Sequence, residues 1–233
     1  MVTLIVVRHG FSAFNKSRIF SGQLDVPLDE KGVEQAEKLK NYLINNFKID
    51  AVYSSDLSRA IDTVKPTAEV LGLNIKLKPG LRELYAGLWQ GKTFDEVERE
   101  FPETFAVYKA NVGEFRPDGG ENYAEMTDRA VKAFREIVEE NGGKTVLIAT
   151  HGGLFRSFQA WLTGVPLEEI KKVTHVANAS ISIVTCVDGC FETKVLGYTE
   201  HLKNQSHFLY YIMFIFCGKK SLPQNFFNFF KIF

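Results

Sequence analysis

A chain of 233 residues with 45% hydrophobic and 24% charged side chains has the make-up of a globular protein with one well-buried core. Lys and Arg match Asp and Glu at 28 each, so no overall basic field argues for a nucleic-acid partner. The balance is uneven: residues 206–233 hold Lys219, Lys220 and Lys231 and no acid, and zero overall less +3 there leaves residues 1–205 at −3, so an anion site must be built locally from a few placed Arg and His residues.

The chain runs from Met1 straight into a strand-like segment, Thr3 to Val7, with neither the basic start nor the small-residue cleavage site of a secretory signal. That predicts a cytoplasmic protein. The segment delivers Arg8, His9 and Gly10 at its end, which places a cation, a nucleophile and a flexible backbone joint where a sheet edge meets ligands. Asp29 is placed to cap a helix over Glu30 to Asn46. A weaker strand, Asp50 to Ser54, leads into a helix over Leu57 to Leu71, which Gly72 terminates. Thr93 to Ala110 reads as helical with a break near Pro102, and Phe94, Val97, Phe101, Phe105 and Tyr108 share one face. A helix over Tyr123 to Glu140 stops before Gly142-Gly143, and a strand over Thr145 to Thr150 delivers His151, Gly152 and Gly153 ahead of a helical pattern from Phe155 to Leu162. Ser180 to Cys186 is the last strand read. Strands alternating with helices predict an α/β fold, a three-layer α/β/α sandwich with a mostly parallel central sheet, and Thr93 to Arg116 is expected to form a helical lid.

The expected domain is 1–205, followed by a Phe-rich extension, 206–233, whose role is left open. In that extension eight of 28 residues are Phe, and Phe208 to Cys217 is an unbroken run of ten apolar residues. A helix needs about 20 apolar residues to cross a bilayer, so no transmembrane segment is expected. The three cysteines, Cys186, Cys190 and Cys217, make no metal pattern with a nearby His pair. Cys186 and Cys190 flank a turn over Val187-Asp188-Gly189, and in a reducing compartment two free thiols are expected.

His9 and His151 each follow an apolar strand and each precede glycine, so in a parallel sheet both project from one carboxyl edge. Arg8, at a strand end, and Arg59, at a helix start, reach the same edge. Two imidazoles and two guanidinium groups suit a phosphoryl group: a neutral imidazole can attack phosphorus while guanidinium forks neutralise the equatorial oxygens. Gly152-Gly153 opens a helix whose free N–H groups would face an anion.

The segments Arg8-His9-Gly10-Phe11-Ser12-Ala13-Phe14-Asn15, Ser21-Gly22-Gln23-Leu24-Asp25-Val26-Pro27-Leu28, Ser54-Ser55-Asp56-Leu57-Ser58-Arg59-Ala60, Leu81-Arg82-Glu83-Leu84 with Gly87, Trp89 and Gly91, and Ala149-Thr150-His151-Gly152-Gly153 occur in that order. On these segments, residues 3–202 resemble the histidine phosphatase superfamily, the phosphoglycerate-mutase-like proteins, and within it the small bacterial phosphatase branch. The resemblance implies that His9 is the nucleophile and passes through a phosphohistidine. It implies that Glu83 protonates the departing oxygen and then helps activate water, with Arg82 and Glu121 as alternative polar groups for that part of the site. His151 would stabilise the transferring group with Arg8 and Arg59, while Asn15, Ser21 and Gly22 match the family's phosphate-binding loop. No metal and no other cofactor is implied. His175, His201 and His207 are read as surface or structural histidines, and Asp25, Trp89 and Glu121 as scaffold or pocket wall.

Mutases of the family carry a longer insertion between the acid-bearing segment and the second histidine. Here 67 residues separate Glu83 from His151, and Leu88-Trp89-Gln90-Gly91-Lys92-Thr93 resembles the phosphatase branch. The expectation is therefore a metal-independent hydrolase of small phosphate monoesters, with a cofactor-dependent phosphoglycerate mutase or a phosphate-binding module as alternatives. Phe101, Phe105, Tyr108 and Phe115 either line an apolar pocket or pack the lid on the sheet. Broad organic phosphates and the phosphorylated ribazole nucleoside of cobalamin assembly both stay open as substrates. The expected partner is a small phosphorylated molecule rather than nucleic acid, and a homodimer is left open.

Overall fold

A computed structural model describes residues 1–203, so the expectations for the extension 206–233, Cys217 and His207 lie outside the described residues. Six strands form one sheet: β1 (Val2–Arg8), β2 (Ala51–Ser54), β3 (Ile75–Leu77), β4 (Thr145–Thr150), β5 (Ile181–Val187) and β6 (Cys190–Tyr198). Their order is β3-β2-β4-β1-β5-β6. The β3, β2, β4 and β1 strands are parallel neighbours, and β5 and β6 extend the sheet antiparallel. Among the described residues seven α-helices connect and cover it: α1 (Ala13–Ser17), α2 (Glu30–Asn46), α3 (Ser58–Leu71), α4 (Phe94–Glu100), α5 (Pro102–Ala110), α6 (Tyr123–Glu140) and α7 (Gly152–Thr163). Among the described residues no helix is long and apolar enough to cross a membrane.

The central strands are apolar on both faces, as a covered parallel sheet requires. In β1, Leu4 and Val6 face one core with Val146 and Ile148 of β4, under Met126, Ala130 and Phe134 of α6 and Leu154, Phe155 and Phe158 of α7. Ile5 and Val7 face the other core with Leu147 and Ala149, under Leu39 and Leu43 of α2 and Ala60, Val64 and Ala68 of α3. The period-two alternation of side chains along a strand thus feeds two cores and gives the three expected layers.

Helix ends follow local chemistry. The Asp29 carboxylate accepts from the Gly32 N–H at 2.9 Å and opens α2, and Gly72, at φ 65°, closes α3. Gly32 has a second constraint: a Cβ there would lie 2.0 Å from the Phe11 carbonyl oxygen, so only glycine lets α2 approach the loop after β1. The expected break in the lid falls at Phe101, which caps α4 while Pro102 opens α5.

The structure adds two strands to those read from the sequence. The edge strand β3 is three residues long and mostly exposed, and the opposite edge strand β6 carries Glu192 and Lys194, so neither has an apolar run. The β5–β6 turn is Asp188-Gly189, with φ 49° and 79°, one residue tighter than expected. Cys186 and Cys190 are free thiols on its two sides.

Candidate active site

Register fixes the centre of the site. Arg8 pairs with Thr150 across β1 and β4, so His9 and His151 leave neighbouring strands at one level. Their ring centroids lie 5.1 Å apart at 55°. His9 Nδ1 sits 2.7 Å from its neighbour's carbonyl, Gly10 O. A carbonyl only accepts, so Nδ1 carries the proton and Nε2 keeps its lone pair. Burial, then Arg59 and Arg8, hold His9 well below the ordinary imidazole range. His151, fully buried, is held down by burial, then by Arg59, His9, Arg129 and Arg8. Both rings are therefore neutral at pH 7. His151 Nε2 is 2.9 Å from Ser55 Oγ, and its Nδ1 is buried without a partner among the described residues.

The loop carrying His9 is tied on both sides. Gly10 N–H donates to Thr63 Oγ1 at 2.8 Å, and that hydroxyl donates to the Arg59 carbonyl at 2.7 Å. From the other side, Asn178 Nδ2 donates to the carbonyls of His9 and Gly10 at 3.0 and 3.2 Å, and Ala179 N–H to that of Arg8 at 2.9 Å.

Both arginines are anchored by carbonyls rather than carboxylates. Arg8 Nη1 donates to Val176 O at 2.7 Å and reaches His175 Nδ1 at 3.3 Å, which makes that nitrogen the acceptor. Arg59, in the first turn of α3, donates from Nη1 to Leu24 O at 2.7 Å and from Nη2 to Gly22 O at 2.8 Å. Asp25 Oδ1 accepts from the Ser58 N–H at 2.7 Å and fixes the start of that helix. Burial lowers both guanidinium groups, and both stay charged. Among the described residues, the Nε atoms of Arg8 and Arg59 are buried without a partner. Leaving such a donor unpaired costs about 1–3 kcal/mol, which anion oxygens would relieve.

Glu83 reaches the same place from the loop after β3. Its Oε1 accepts from the N–H groups of Leu84 at 2.9 Å and Leu154 at 3.1 Å, and its Oε2 from Gly153 at 3.0 Å. The anion facing the N–H groups of Gly153 and Leu154 at the α7 start is thus the chain's own carboxylate. Gly152, the first residue of that helix, has no room for a side chain: a Cβ would lie 2.8 Å from His175 Nε2 and 3.0 Å from Arg8 Nε. Arg129 of α6 holds the Glu83 loop by its backbone, donating to the carbonyls of Gly80, Arg82 and Glu83 at 3.1, 2.6 and 2.9 Å. The same guanidinium pairs with Glu121 at 2.5 Å, and Glu121 accepts from the Tyr85 N–H at 2.7 Å. Arg82 points elsewhere, to Asp56.

Arg8, His9, Arg59 and Glu83 line one cavity of about 240 Å³ with Asn15, Ser21, Gly22 and Gly153. Asn15 Oδ1 accepts from the N–H and hydroxyl of Ser12 at 3.0 Å and from Asn178 at 3.3 Å, which directs its NH₂ group away from these partners. Gly22 acts through its carbonyl on Arg59, and its N-terminal neighbour Ser21 lines the cavity. The apolar wall comes from the lid side: Ile19, Phe20, Leu84, Phe94, Tyr108, Phe115 and Tyr123. Phe101 and Phe105 are not part of that wall; they pack on the buried Trp89 at 6.4 and 5.9 Å between ring centroids, and Tyr108 and Phe115 pack on it as well, at 5.8 and 4.7 Å.

His175 also lines the cavity, where the sequence reading had it structural. His201 keeps a structural place, its Nε2 3.0 Å from Ala179 O. Ser55, Thr63, Asn178 and Arg129 were not singled out. Ser55 and Thr63 flank Arg59 within or beside a quoted motif, which was their one signal; nothing in the sequence marks Asn178 or Arg129.

Comparison with known proteins gives the family. The model of the histidine phosphatase superfamily (branch 1) matches residues 4–199. Phosphoglycerate mutase-like protein 4 of Arabidopsis thaliana is 33% identical over 203 residues, 86% of either chain. The metal-independent phosphoserine phosphatase of the same plant is 30% identical over 183 residues, 78% of this chain and 75% of that one. Among solved structures, YhfR of Bacillus stearothermophilus superimposes with a TM-score of 0.83 at 30% identity, covering 87% of this chain and 100% of that one. A strand-delivered histidine pair, its arginines and a match over nearly the whole described chain lead to one assignment: the chain belongs to the histidine phosphatase superfamily, branch 1.

Proposed function

We propose that this protein hydrolyses small phosphate monoesters without a metal ion, through a phosphohistidine on His9. The observation that carries the reading is the fixed tautomer of His9: Nδ1–H is spent on Gly10 O at 2.7 Å, so Nε2 is the free nucleophile beside two guanidinium groups. In the first step Nε2 attacks phosphorus and the bond to the ester oxygen breaks. Arg8, Arg59 and His151 take the charge that spreads over the equatorial oxygens. The leaving oxygen takes its proton from Glu83. Oε1 already accepts two N–H bonds and Oε2 one, so Oε2 is the oxygen with a lone pair left to carry that proton. In the second step the Glu83 carboxylate accepts a proton from water as the oxygen attacks the phosphohistidine, and inorganic phosphate leaves. Asn15, Ser21 and Gly152 complete the phosphate pocket in this reading, and Gly22 contributes by positioning Arg59.

Relatives support hydrolysis: one protein 30% identical is a metal-independent phosphoserine phosphatase. The test is release of p-nitrophenol from p-nitrophenyl phosphate in the presence of a chelator. Wild type is expected to turn over and His9→Ala to fall to background, with a phosphorylated His9 peptide recovered after an alkaline quench. Equal rates for wild type and variant would overturn the mechanism. Rapid conversion of 3-phosphoglycerate to 2-phosphoglycerate, with 2,3-bisphosphoglycerate present and little free phosphate, would assign mutase activity instead.

A further inference from the structure

The stretch from Val173 to Ala179 is pinned at both ends. Arg156 Nε donates to the Val173 carbonyl at 2.7 Å, and the Ala179 N–H donates to that of Arg8 at 2.9 Å. Between these ties His175 stands at the rim of the cavity, lining it while part of its ring stays exposed. Its orientation is set by Arg8. The Nη1 group of Arg8 has two hydrogens: one goes to Val176 O at 2.7 Å, the other to His175 Nδ1 at 3.3 Å. With Nδ1 as acceptor, the neutral ring carries its proton on Nε2. Burial, then the Arg8 cation, hold His175 below the ordinary imidazole range, so this neutral form is the one present at pH 7.

Nothing in the fold uses the proton on Nε2. Among the described residues His175 Nε2 has no hydrogen-bond partner, and neither has the buried Nε of Arg8. Both nitrogens border Gly152, where an added Cβ would lie 2.8 Å from His175 Nε2 and 3.0 Å from Arg8 Nε, so the two donors flank one gap of about the size of a methyl group that only glycine leaves open. His9 and Arg59 line the same cavity. An imidazole N–H and the open edge of a guanidinium, converging from two sides, fit an oxyanion.

We propose that His175 is a further phosphate-binding residue, whose Nε2–H donates to an oxygen of the phosphoryl group that Arg8 holds. This rests on the hydrolase reading above and adds a neutral donor to the two cations and His151. The two nitrogens of the ring then act together: the tautomer that lets Nδ1 accept from Arg8 is the one that leaves Nε2 able to donate to substrate.

Two amide variants separate the nitrogens. His175→Gln puts an N–H donor near the place of Nε2 and gives up the acceptor at Nδ1, whereas His175→Asn puts an acceptor near Nδ1 and gives up the donor at Nε2. On p-nitrophenyl phosphate His175→Asn is expected to lose about tenfold or more in kcat/KM, as removal of one hydrogen bond to a charged group allows, and to be inhibited by orthovanadate more weakly by a similar factor. His175→Gln is expected to recover part of both. A His175→Asn enzyme that matches wild type, or that loses no more than His175→Gln, overturns the donor. If His175→Asn does not fold, nitrogen NMR of the imidazoles in the wild-type full chain carries the test. The His175 Nε2 signal, assigned by its loss in His175→Gln, is expected to shift when orthovanadate is added, and an unmoved signal overturns the contact. These spectra need no turnover, so failure of wild type to hydrolyse p-nitrophenyl phosphate overturns the hydrolase reading while the signal still decides the contact.

Discussion

Gly153→Ala tests the proposed acid through the helix that holds it. A Cβ at this position would lie 2.5 Å from Glu83 Oε1 and 3.2 Å from its Cδ, so the carboxyl group must retreat by about 1 Å to reach ordinary contact. Retreat stretches the bonds from the Gly153 and Leu154 N–H groups, now 3.0 and 3.1 Å. Each such bond to a charged group is worth about 1.5–3 kcal/mol, and a catalytic group displaced by about 1 Å loses on the order of 100-fold in rate. Against that loss, Ala in place of Gly in a helix gains only roughly 0.5–1 kcal/mol, so the melting temperature is expected to fall by several degrees while the fold is kept. The assay is steady-state hydrolysis of two esters that differ in leaving group. Glycerol 3-phosphate expels an alkoxide that needs the proton, and its kcat is expected to fall about 100-fold. p-Nitrophenyl phosphate expels a stable phenolate, and its kcat is expected to fall by less than about tenfold. Equal losses on both esters, or no loss on either, would refute Glu83 as the proton donor.

Two further outcomes follow from the supports of the site. Arg129→Ala strands three backbone carbonyls and the Glu121 carboxylate, so a loss of about 2–4 kcal/mol in denaturant unfolding is expected, together with reduced kcat on alkyl phosphates. Unchanged stability would show that the clamp is idle. His9 and His151 are both held below the ordinary imidazole value in the folded chain. Below pH about 6.5 the unfolded chain therefore binds protons that the native site refuses, and stability falls as the pH drops, by up to about 1.4 kcal/mol per pH unit for each histidine. Unfolding curves between pH 7 and pH 5 measure this slope, and His9→Gln is expected to show a smaller one. An identical slope in the variant would remove His9 from the account.

Legibility of the sequence tracked how local each signal is. The helices α2 and α6 were readable to the residue because apolar spacing and end residues such as Asp29 agree within one element. Edge strands β3 and β6 were not, since exposed, charged or very short strands carry no apolar run. Arg8, His9, Arg59, Glu83 and His151 sit inside short motifs, and the fold gathers all but His151 on one cavity wall, with the His151 ring against His9. Asn178 and Arg129 act on the backbone of segments 169 and 46 to 49 residues away, a relation that only the folded chain creates. The lid aromatics divided for a similar reason. Phe101, Phe105, Tyr108 and Phe115 all pack on Trp89, from another loop, and only Tyr108 and Phe115 also reach the cavity.

The 5.1 Å between the rings of His9 and His151 is close to the ~4.8 Å that separates any two bonded strands. Spacing between the two histidines is thus written in the backbone ladder of β1 and β4, six residues deep on each strand, and not in side-chain packing. The α4 and α5 helices, which wall the cavity from above, share no ladder with those strands. Substitution or loop exchange in the lid can accordingly reshape the cavity wall while the spacing of the histidine pair stays locked.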